Sequence, residues 1–179
     1  MIPLSSPASL SPKGDVPILG EQHVEHEMLR LDRQLCFPLW AAARRIVGLY
    51  RPALDPLGLT YTQYVVMLAL WERDAVTVKE LGERLFLDSG TITPVLKKLE
   101  AQGWVARRRS SDDERVVIVS LTSEGGALKT AAAYVPEQVA SCVKLSQDDA
   151  VALHRILYKL LSEEALVRCA PSSGDAPEG

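Results

Sequence analysis

The sequence predicts a mostly α-helical fold with one small β-hairpin, an α+β class with few strands. Apolar residues recur every three or four positions over most of residues 23–166, and helix-capping residues stand where these patterns begin. Two β-rich runs, separated by a short polar stretch, interrupt the helical segments. Short helices followed by such a hairpin are typical of a winged helix-turn-helix.

Composition limits the classes of protein to which the chain can belong. Of its 179 residues, 47% are hydrophobic and 24% are charged, which is ordinary for a globular domain. A net charge of -3 argues against a histone-like binder but allows a local basic patch. No apolar run reaches the roughly 20 residues of a membrane span, and no export signal is evident. The three cysteines match no zinc pattern, so we expect no metal, no cofactor and a cytoplasmic protein with free thiols.

The two ends of the chain differ from its middle. Residues 1–22 and 167–179 are rich in Pro, Ser and Gly, which predicts a disordered leader and a disordered tail around one domain, 23–166. The first helix is indicated by an apolar face that runs from Leu31 to Leu49. Pro38 lies inside this pattern and lacks a backbone N–H, so the helix is kinked there or begins nearby.

Capping residues predict the remaining helices. A Ser, Thr or Asp at the N-cap accepts a backbone hydrogen bond, and a Glu or Gln three positions later completes a capping box. The predicted helices are 61–72 capped by Thr60 and Gln63, 78–85 by Thr77 and Glu80, 89–102 by Asp88, 123–142 by Thr122, and 147–166 by Ser146. The long helices 23–51 and 123–166 flank a core at 55–121, and they pack either on that core or on a second copy of the chain.

Helix 89–102 is the one that we expect to enter the major groove of DNA. Its first residues are small and form hydrogen bonds, and two lysines further along suit contacts with the phosphate backbone. The candidate contact residues on this helix are Ser89, Gly90, Thr91, Thr93, Lys97 and Lys98.

The hairpin, 104–109 and 116–121, carries a basic run next to an acidic tip. Arg107 and Arg109 share one face of the first strand, and Arg108 lies on the other. Asp113 is placed to hold Arg115 as it reaches toward a minor groove. A solvated arginine face is the alternative, but its position directly after a capped helix pair favours DNA binding.

Cys36 lies near the start of the first helix, where the positive end of the helix dipole favours an anion such as a thiolate. A thiolate attacks a peroxide to give a sulfenic acid. Phe37 and Trp40 suggest an apolar pocket, and Tyr50 and Tyr61 are possible hydrogen-bond donors to the sulfur. The residues alone favour a different interpretation, because free cysteines are common in protein cores.

Four segments of the sequence resemble the organic-hydroperoxide-sensing (OhrR) branch of the MarR regulators. The segments are Leu-Asp-Arg-Gln-Leu-Cys-Phe-Pro-Leu-Trp-Ala-Ala-Ala-Arg (31–44), Leu-Thr-Tyr-Thr-Gln-Tyr (59–64), Leu-Asp-Ser-Gly-Thr-Ile-Thr-Pro-Val-Leu-Lys (87–97) and Asp-Asp-Glu-Arg (112–115). The resemblance covers residues 28–162. It implies a winged helix that dimerises through its first and last helices.

The resemblance also implies roles for single residues. Cys36 corresponds to the sensing thiol, and Tyr50 and Tyr61 to tyrosines that donate hydrogen bonds to it. Trp40 stands where members often have a tyrosine, so the shape of the pocket differs here. The position of Cys142 is similar to that of a second cysteine that forms a disulfide across the dimer, whereas other members use a small thiol. Cys169, in the tail, is expected to be incidental.

The function predicted from these features is a homodimeric repressor that binds double-stranded operator DNA. An organic hydroperoxide oxidises Cys36, and the operator is released. The alternative is a MarR-type repressor that is released by a small aromatic ligand. A thiol peroxidase is disfavoured because no recycling cysteine pair is present, so we do not expect an enzyme. A purely structural module does not account for the capped helices and the basic hairpin.

Overall fold

The computed structural model describes residues 29–111 and 113–162. The predicted leader, the predicted tail with Cys169, and the last residues of the helix predicted over 147–166 lie outside the described residues. The chain divides into two compact units, one ending at Ala140 and the other beginning at Ser141.

Seven helices and three strands are present in the described part of the chain. In order they are α1 (Cys36–Leu54), α2 (Tyr61–Glu72), β1 (Val76–Thr77), α3 (Val78–Leu85), α4 (Ser89–Ala101), β2 (Val105–Arg109), β3 (Val117–Leu121), α5 (Ser123–Ala131), α6 (Val135–Cys142) and α7 (Gln147–Leu161). Short 3-10 turns at Leu31–Arg33 and Asp55–Leu57 lie on either side of α1.

The predicted caps are confirmed by hydrogen bonds. Complete capping boxes begin α2 and α3, with the side chains of Thr60 and Thr77 as acceptors. The carboxylate of Asp88 accepts the Thr91 N–H at 2.8 Å, and the side chains of Thr122 and Ser146 cap α5 and α7. These helix starts are therefore set by local sequence.

The structure decides between the two alternatives for the first helix. α1 begins at Cys36, which makes Pro38 its third residue. A proline in the first turn costs no hydrogen bond, because the first N–H groups of a helix have no partner within it. The helix therefore starts beside the proline.

The prediction of a single helix over 123–142 is wrong. Two helices occupy this segment, α5 and α6, joined by a turn at residues 132–134. Pro136 is the second residue of α6, a position where proline is tolerated. In one continuous helix the proline would lack the bond to the Ala132 carbonyl, and its ring would clash there. The chain turns instead.

The sheet is a three-stranded antiparallel sheet of order β1-β3-β2. Val119 on the central strand pairs with Val76 on one side and with Arg107 on the other. The hairpin was predicted, but β1 was not, since its two residues are ordered by pairing with β3 rather than by their own sequence. This arrangement of helices and strands is a winged helix.

The core of the first unit lies among α2, α3, α4 and the sheet; it includes residues of α6, and Leu128 of α5 packs against it. The fully buried large side chains are Leu54, Met67, Leu70, Leu81, Ile92, Leu96, Leu99, Val66, Val119 and Val135.

Hydrogen bonds join α5 and the turn before α6 to this core. The Trp71 Nε1–H donates to the Gly125 carbonyl at 2.9 Å, and the Tyr134 hydroxyl donates to the Ala53 carbonyl at 2.7 Å. A Cβ on Gly125 would lie 1.9 Å from the carbonyl oxygen of Trp104, so only glycine allows this approach. The core therefore depends on α5 and α6 as well as on the helix-turn-helix.

The second unit contains α7, and none of the residues of this helix is buried. Its large apolar side chains are at least 40% exposed at Val151, Leu153, Ile156, Tyr158 and Leu161. Within residues 29–111 and 113–162, no helix combines the length and the apolar character needed to cross a membrane.

Candidate functional site

The first residues of α4 form an open, hydrogen-bonding end of the helix. Ser89, Gly90 and Thr91 are exposed, and Thr93 is half-buried. A Cβ on Gly90 would stand 3.0 Å from the Asp88 carboxylate, so a larger residue would crowd the cap. The helix presents small groups at the end that the sequence assigned to DNA.

One of these groups is already engaged in the cap. The Thr91 hydroxyl donates to Asp88 Oδ2 at 3.1 Å, in addition to the backbone N–H bond to Oδ1. These bonds, the backbone one above all, hold the pKa of Asp88 below its usual value. Thr91 therefore stabilises the start of the helix. Because its hydroxyl already donates to Asp88, it can take part in DNA binding only as a hydrogen-bond acceptor.

One face of α4 packs in the core and the opposite face is exposed to solvent. Ile92, Leu96 and Leu99 are buried in the core, whereas Lys97 and Lys98 are exposed. Burial of one face fixes the rotation of the helix about its own axis. The two lysines thus lie on the solvent side, as their predicted role with phosphates requires.

Residues 105–121, which comprise β2, β3 and the tip that connects them, are called the wing. Arg107 on β2 is half-buried, and its guanidinium is bound to the Glu100 carboxylate of α4, with Nε 3.0 Å from Oε2. The hydrogen bond to Arg107 holds the pKa of Glu100 below its usual value. Of the three consecutive arginines, Arg108 and Arg109 are exposed. Arg107 thus joins the wing to α4, and its charge is balanced within the chain.

Glu100 was missed by sequence reasoning. The sequence gives little indication that Glu100 has a structural partner, because a glutamate at the end of a helix is normally solvated. Its partnership with Arg107 follows only from the packing of β2 against the end of α4.

The tip of the wing is ordered by two polar contacts. The Arg115 N–H donates to Asp113 Oδ1 at 2.9 Å, and Arg109 Nη1 donates to the Glu114 carbonyl at 2.8 Å. Asp113 therefore orients Arg115 through its backbone amide rather than through its guanidinium. The side chain of Arg115 is exposed.

Cys36 is the first residue of α1 and is exposed. Phe37 and Trp40 lie close by, with ring centroids 6.4 Å apart, and the Arg44 guanidinium stands 4.8 Å above the Trp40 ring. Trp40 is nevertheless 56% exposed and Leu39 is 45% exposed. The thiol thus has aromatic neighbours, but the single chain does not enclose it.

The two candidate tyrosines pack against each other and lie far from Cys36. Their ring centroids are 4.9 Å apart in an edge-on contact, and burial raises the pKa of Tyr61. Tyr50 follows Cys36 by fourteen residues on the same helix. At the helical rise of about 1.5 Å per residue, the two positions are separated by roughly 21 Å. Within one chain, therefore, neither tyrosine hydroxyl can reach the sulfur of Cys36. This separation could have been predicted from the sequence, because Cys36 and Tyr50 lie on one predicted helix.

Cys142 is the last residue of α6 and is exposed. It falls in the second unit, which begins at Ser141.

Known proteins are similar to this chain in sequence and in fold. A family model described as "Transcriptional regulator SarA/Rot" matches residues 48–131. The organic hydroperoxide resistance transcriptional regulator of Bacillus subtilis is 47% identical over 133 residues, which cover 74% of this chain and 90% of the relative.

Solved structures of AbfR, a protein of Staphylococcus epidermidis, are also similar. Reduced AbfR bound to DNA has a TM-score of 0.63 and 37% identity, covering 77% of this chain and 96% of that one. Disulfide-formed AbfR has a TM-score of 0.51 and 36% identity, covering 76% of this chain and 91% of the AbfR chain. The chain belongs to the MarR family of winged-helix transcriptional regulators, in the branch of the organic hydroperoxide resistance regulators.

Proposed function

We propose that this chain is a homodimeric, cytoplasmic repressor that binds operator DNA while Cys36 is reduced and releases it when an organic hydroperoxide oxidises that thiol. It acts as a stoichiometric sensor and not as an enzyme. The observation that carries the proposal is the exposed Cys36 at the first residue of α1, in a chain 47% identical to an organic hydroperoxide resistance regulator.

The DNA-binding half of the proposal rests on α4 and the wing. The exposed residues proposed for the operator are Ser89, Gly90, Thr91, Lys97, Lys98, Arg109 and Arg115, with half-buried Thr93 beside them. Asp113 orients Arg115, and Arg107 acts indirectly by tying β2 to Glu100. Similarity to AbfR, which has been solved bound to DNA, supports this assignment.

The dimer is supported by apolar surface that the single chain leaves uncovered. On α1 and just before it, Leu31, Leu35, Leu39, Trp40 and Ile46 are exposed, and α7 exposes a second apolar row. Clusters of exposed large apolar side chains normally mark a binding surface. A second copy of the chain is the partner that we propose for both surfaces.

The same dimer completes the thiol pocket. Because the hydroxyls of Tyr50 and Tyr61 are out of reach of Cys36 in their own chain, donors of this kind must come from the partner subunit. Phe37 and Trp40 then form one wall, and the Tyr50–Tyr61 pair of the other protomer forms the opposite one. Each dimer contains two such pockets.

The proposed chemistry has two steps. The Cys36 thiolate attacks the terminal oxygen of the hydroperoxide, the O–O bond breaks, and the alkoxide that leaves takes up a proton from solvent to become the alcohol; sulfur is oxidised to sulfenic acid and the peroxide is reduced. The Cys142 thiol of the other protomer then attacks this sulfur, and a disulfide forms with loss of water. Both cysteines are exposed, and the existence of disulfide-formed AbfR supports the second step.

Release of DNA follows from the spacing of two recognition helices. A dimer reads two half-sites about 34–36 Å apart, so a change at the dimer interface misplaces one α4 against its half-site. Loss of one half-site's base contacts costs several kcal/mol, which is enough for release.

The test is a DNA-binding titration of reduced protein with cumene hydroperoxide, followed by dithiothreitol, on wild-type, Cys36→Ser and Cys142→Ser proteins. We expect wild-type protein to release DNA and to rebind after reduction, and Cys36→Ser to remain bound. Cys142→Ser should be oxidised without an intersubunit disulfide on a non-reducing gel. If Cys36→Ser still releases DNA with peroxide, thiol sensing is refuted. If it releases DNA only with an aromatic carboxylate such as salicylate, the ligand-released alternative holds.

A further inference from the structure

We infer that Phe86 contacts operator DNA, packing its ring against apolar groups of the DNA at the edge of the groove that α4 enters. The inference rests on the proposed function, because it needs the operator complex. It adds an apolar contact, from the turn between α3 and α4, to a surface that otherwise consists of hydroxyl and basic groups.

The backbone at Phe86 is left-handed, with φ 54° and ψ 37°. The turn imposes this conformation, because the Leu87 N–H donates to the Gly82 carbonyl at 2.9 Å, which closes the end of α3. Glycine, or asparagine as second choice, adopts such a position at the lowest cost, and a bulky side chain there is strained. Folding alone would favour a different residue.

The ring does not repay this strain through burial. Phe86 is 67% exposed, whereas Leu85 and Leu87 on either side are half-buried and pack against the core. An aromatic residue that is both strained and exposed points to a role outside the fold.

The position of Phe86 in the chain places it close to the first residues of α4. It precedes Ser89, the first residue of α4, by three residues, and these span at most about 11 Å of extended chain. The N-terminal residues of a recognition helix contact base edges in a groove about 12 Å wide. Phe86 therefore lies at the edge of that groove, where thymine methyl groups and deoxyribose rings offer apolar surface.

The test compares operator affinity and thermal stability of reduced wild-type protein with Phe86→Gly and Phe86→Asn. We expect roughly a five- to tenfold loss of affinity, because apolar burial is lost. The salt dependence should be unchanged, since no phosphate contact is removed. The unfolding midpoint should stay the same or rise, because relief of the left-handed backbone strain offsets the extra freedom that the unfolded chain gains.

Ala75→Gly is the matched control, since Ala75 also has a positive φ, 55°, and its replacement relieves the same kind of strain. It should leave operator affinity unchanged. Deoxyuridine in place of each thymine then separates the two DNA groups. If removal of one thymine methyl group weakens operator binding by the wild-type protein but not by Phe86→Gly, the ring contacts that methyl group. If no such removal has this effect, the ring contacts a deoxyribose.

Three results would overturn the inference. Unchanged affinity of both Phe86 variants would remove the residue from the DNA surface. A lowered unfolding midpoint would assign the ring to the fold, and a lost dimer in analytical ultracentrifugation would assign it to a subunit contact. Failure of the wild-type protein to bind any operator would contradict the proposed function itself, and the inference with it.

Discussion

The Arg107 guanidinium and the Glu100 carboxylate join the wing to the recognition helix. Besides the 3.0 Å contact from Nε, Nη2 lies 2.5 Å from the same Oε2, and the Arg107 N–H donates to Oε1 at 3.3 Å. Because three donors bind one carboxylate, both the distance and the relative orientation of the guanidinium and the carboxylate are restricted. The pair therefore ties the end of α4 to the first strand of the wing.

The first prediction concerns Glu100→Gln. The pKa of Glu100 is lowered in the folded protein, so its stabilising effect is complete above the pKa in the unfolded chain and is lost as the pH falls through the folded value. We expect the variant to unfold at a lower temperature than wild type at pH 7, and the difference to shrink as the pH falls below about 4.5.

Thermal unfolding followed by circular dichroism at pH 7, 5 and 3.5 measures this effect. Glu83→Gln is the control, because Glu83 is paired with Lys79 on the same exposed helix surface. A difference for Glu100→Gln that does not depend on pH would show that charge is not its cause.

The second prediction compares two adjacent glycines of α5. A Cβ on Gly125 meets the Trp104 carbonyl, whereas a Cβ on Gly126 meets nothing within 4 Å. We expect Gly125→Ala to destabilise the fold by about 3 kcal/mol and Gly126→Ala to stabilise it by about 0.5–1 kcal/mol. Urea unfolding measures both, and equal effects of the two variants would contradict the close approach.

The third prediction concerns Arg115→Ala. Loss of a phosphate or minor-groove contact should weaken operator binding by about 1–3 kcal/mol and lower the salt slope by about one, with no change in stability. Fluorescence anisotropy at several salt concentrations measures this. Arg51→Ala removes the same charge from an exposed pair with Asp55 at the end of α1. Equal slopes for the two variants would exclude Arg115 from the interface.

The fourth prediction concerns Tyr50→Phe. Removal of a hydroxyl that stabilises the reacting sulfur should slow oxidation of Cys36 about tenfold and leave operator affinity unchanged. Stopped-flow kinetics with cumene hydroperoxide measures the rate. Tyr134→Phe is the control, because its hydroxyl binds the Ala53 carbonyl. That variant should lose about 1 kcal/mol of stability and keep the rate of oxidation. A rate for Tyr50→Phe equal to that of wild type would remove Tyr50 from the pocket.

Much of the fold follows from local sequence. Thr60, Thr77, Asp88, Thr122 and Ser146 were each predicted to cap a helix, and each does so. A helix cap is a hydrogen bond between residues three positions apart, so it can be predicted from a short stretch of sequence. The break between α5 and α6 was also encoded locally, by Pro136, but the apolar pattern across the turn obscured it.

What the sequence did not reveal depends on contacts between distant segments. The short strand β1 exists because Val76 pairs with Val119, and Glu100 matters because Arg107 reaches it. The candidate thiol site was predicted residue by residue, but Tyr50 and Tyr61 pack against each other and do not meet Cys36 within one chain. Helix geometry excludes contact between Cys36 and Tyr50 within one protomer, and no periodicity in the sequence identifies the subunit that supplies the partner.

α1 carries Cys36 at its first residue and buries Ala53 and Leu54 at its last. The helix is about 28 Å long and only its last residues are packed in the core, so a tilt of about 5° at that end would move the sulfur end by roughly 2.5 Å. Small displacements at one end are amplified at the other. The coupling between the redox state and DNA binding is reciprocal at equilibrium: if disulfide formation lowers the affinity for DNA by some factor, bound operator shifts the thiol–disulfide equilibrium toward the thiol by the same factor.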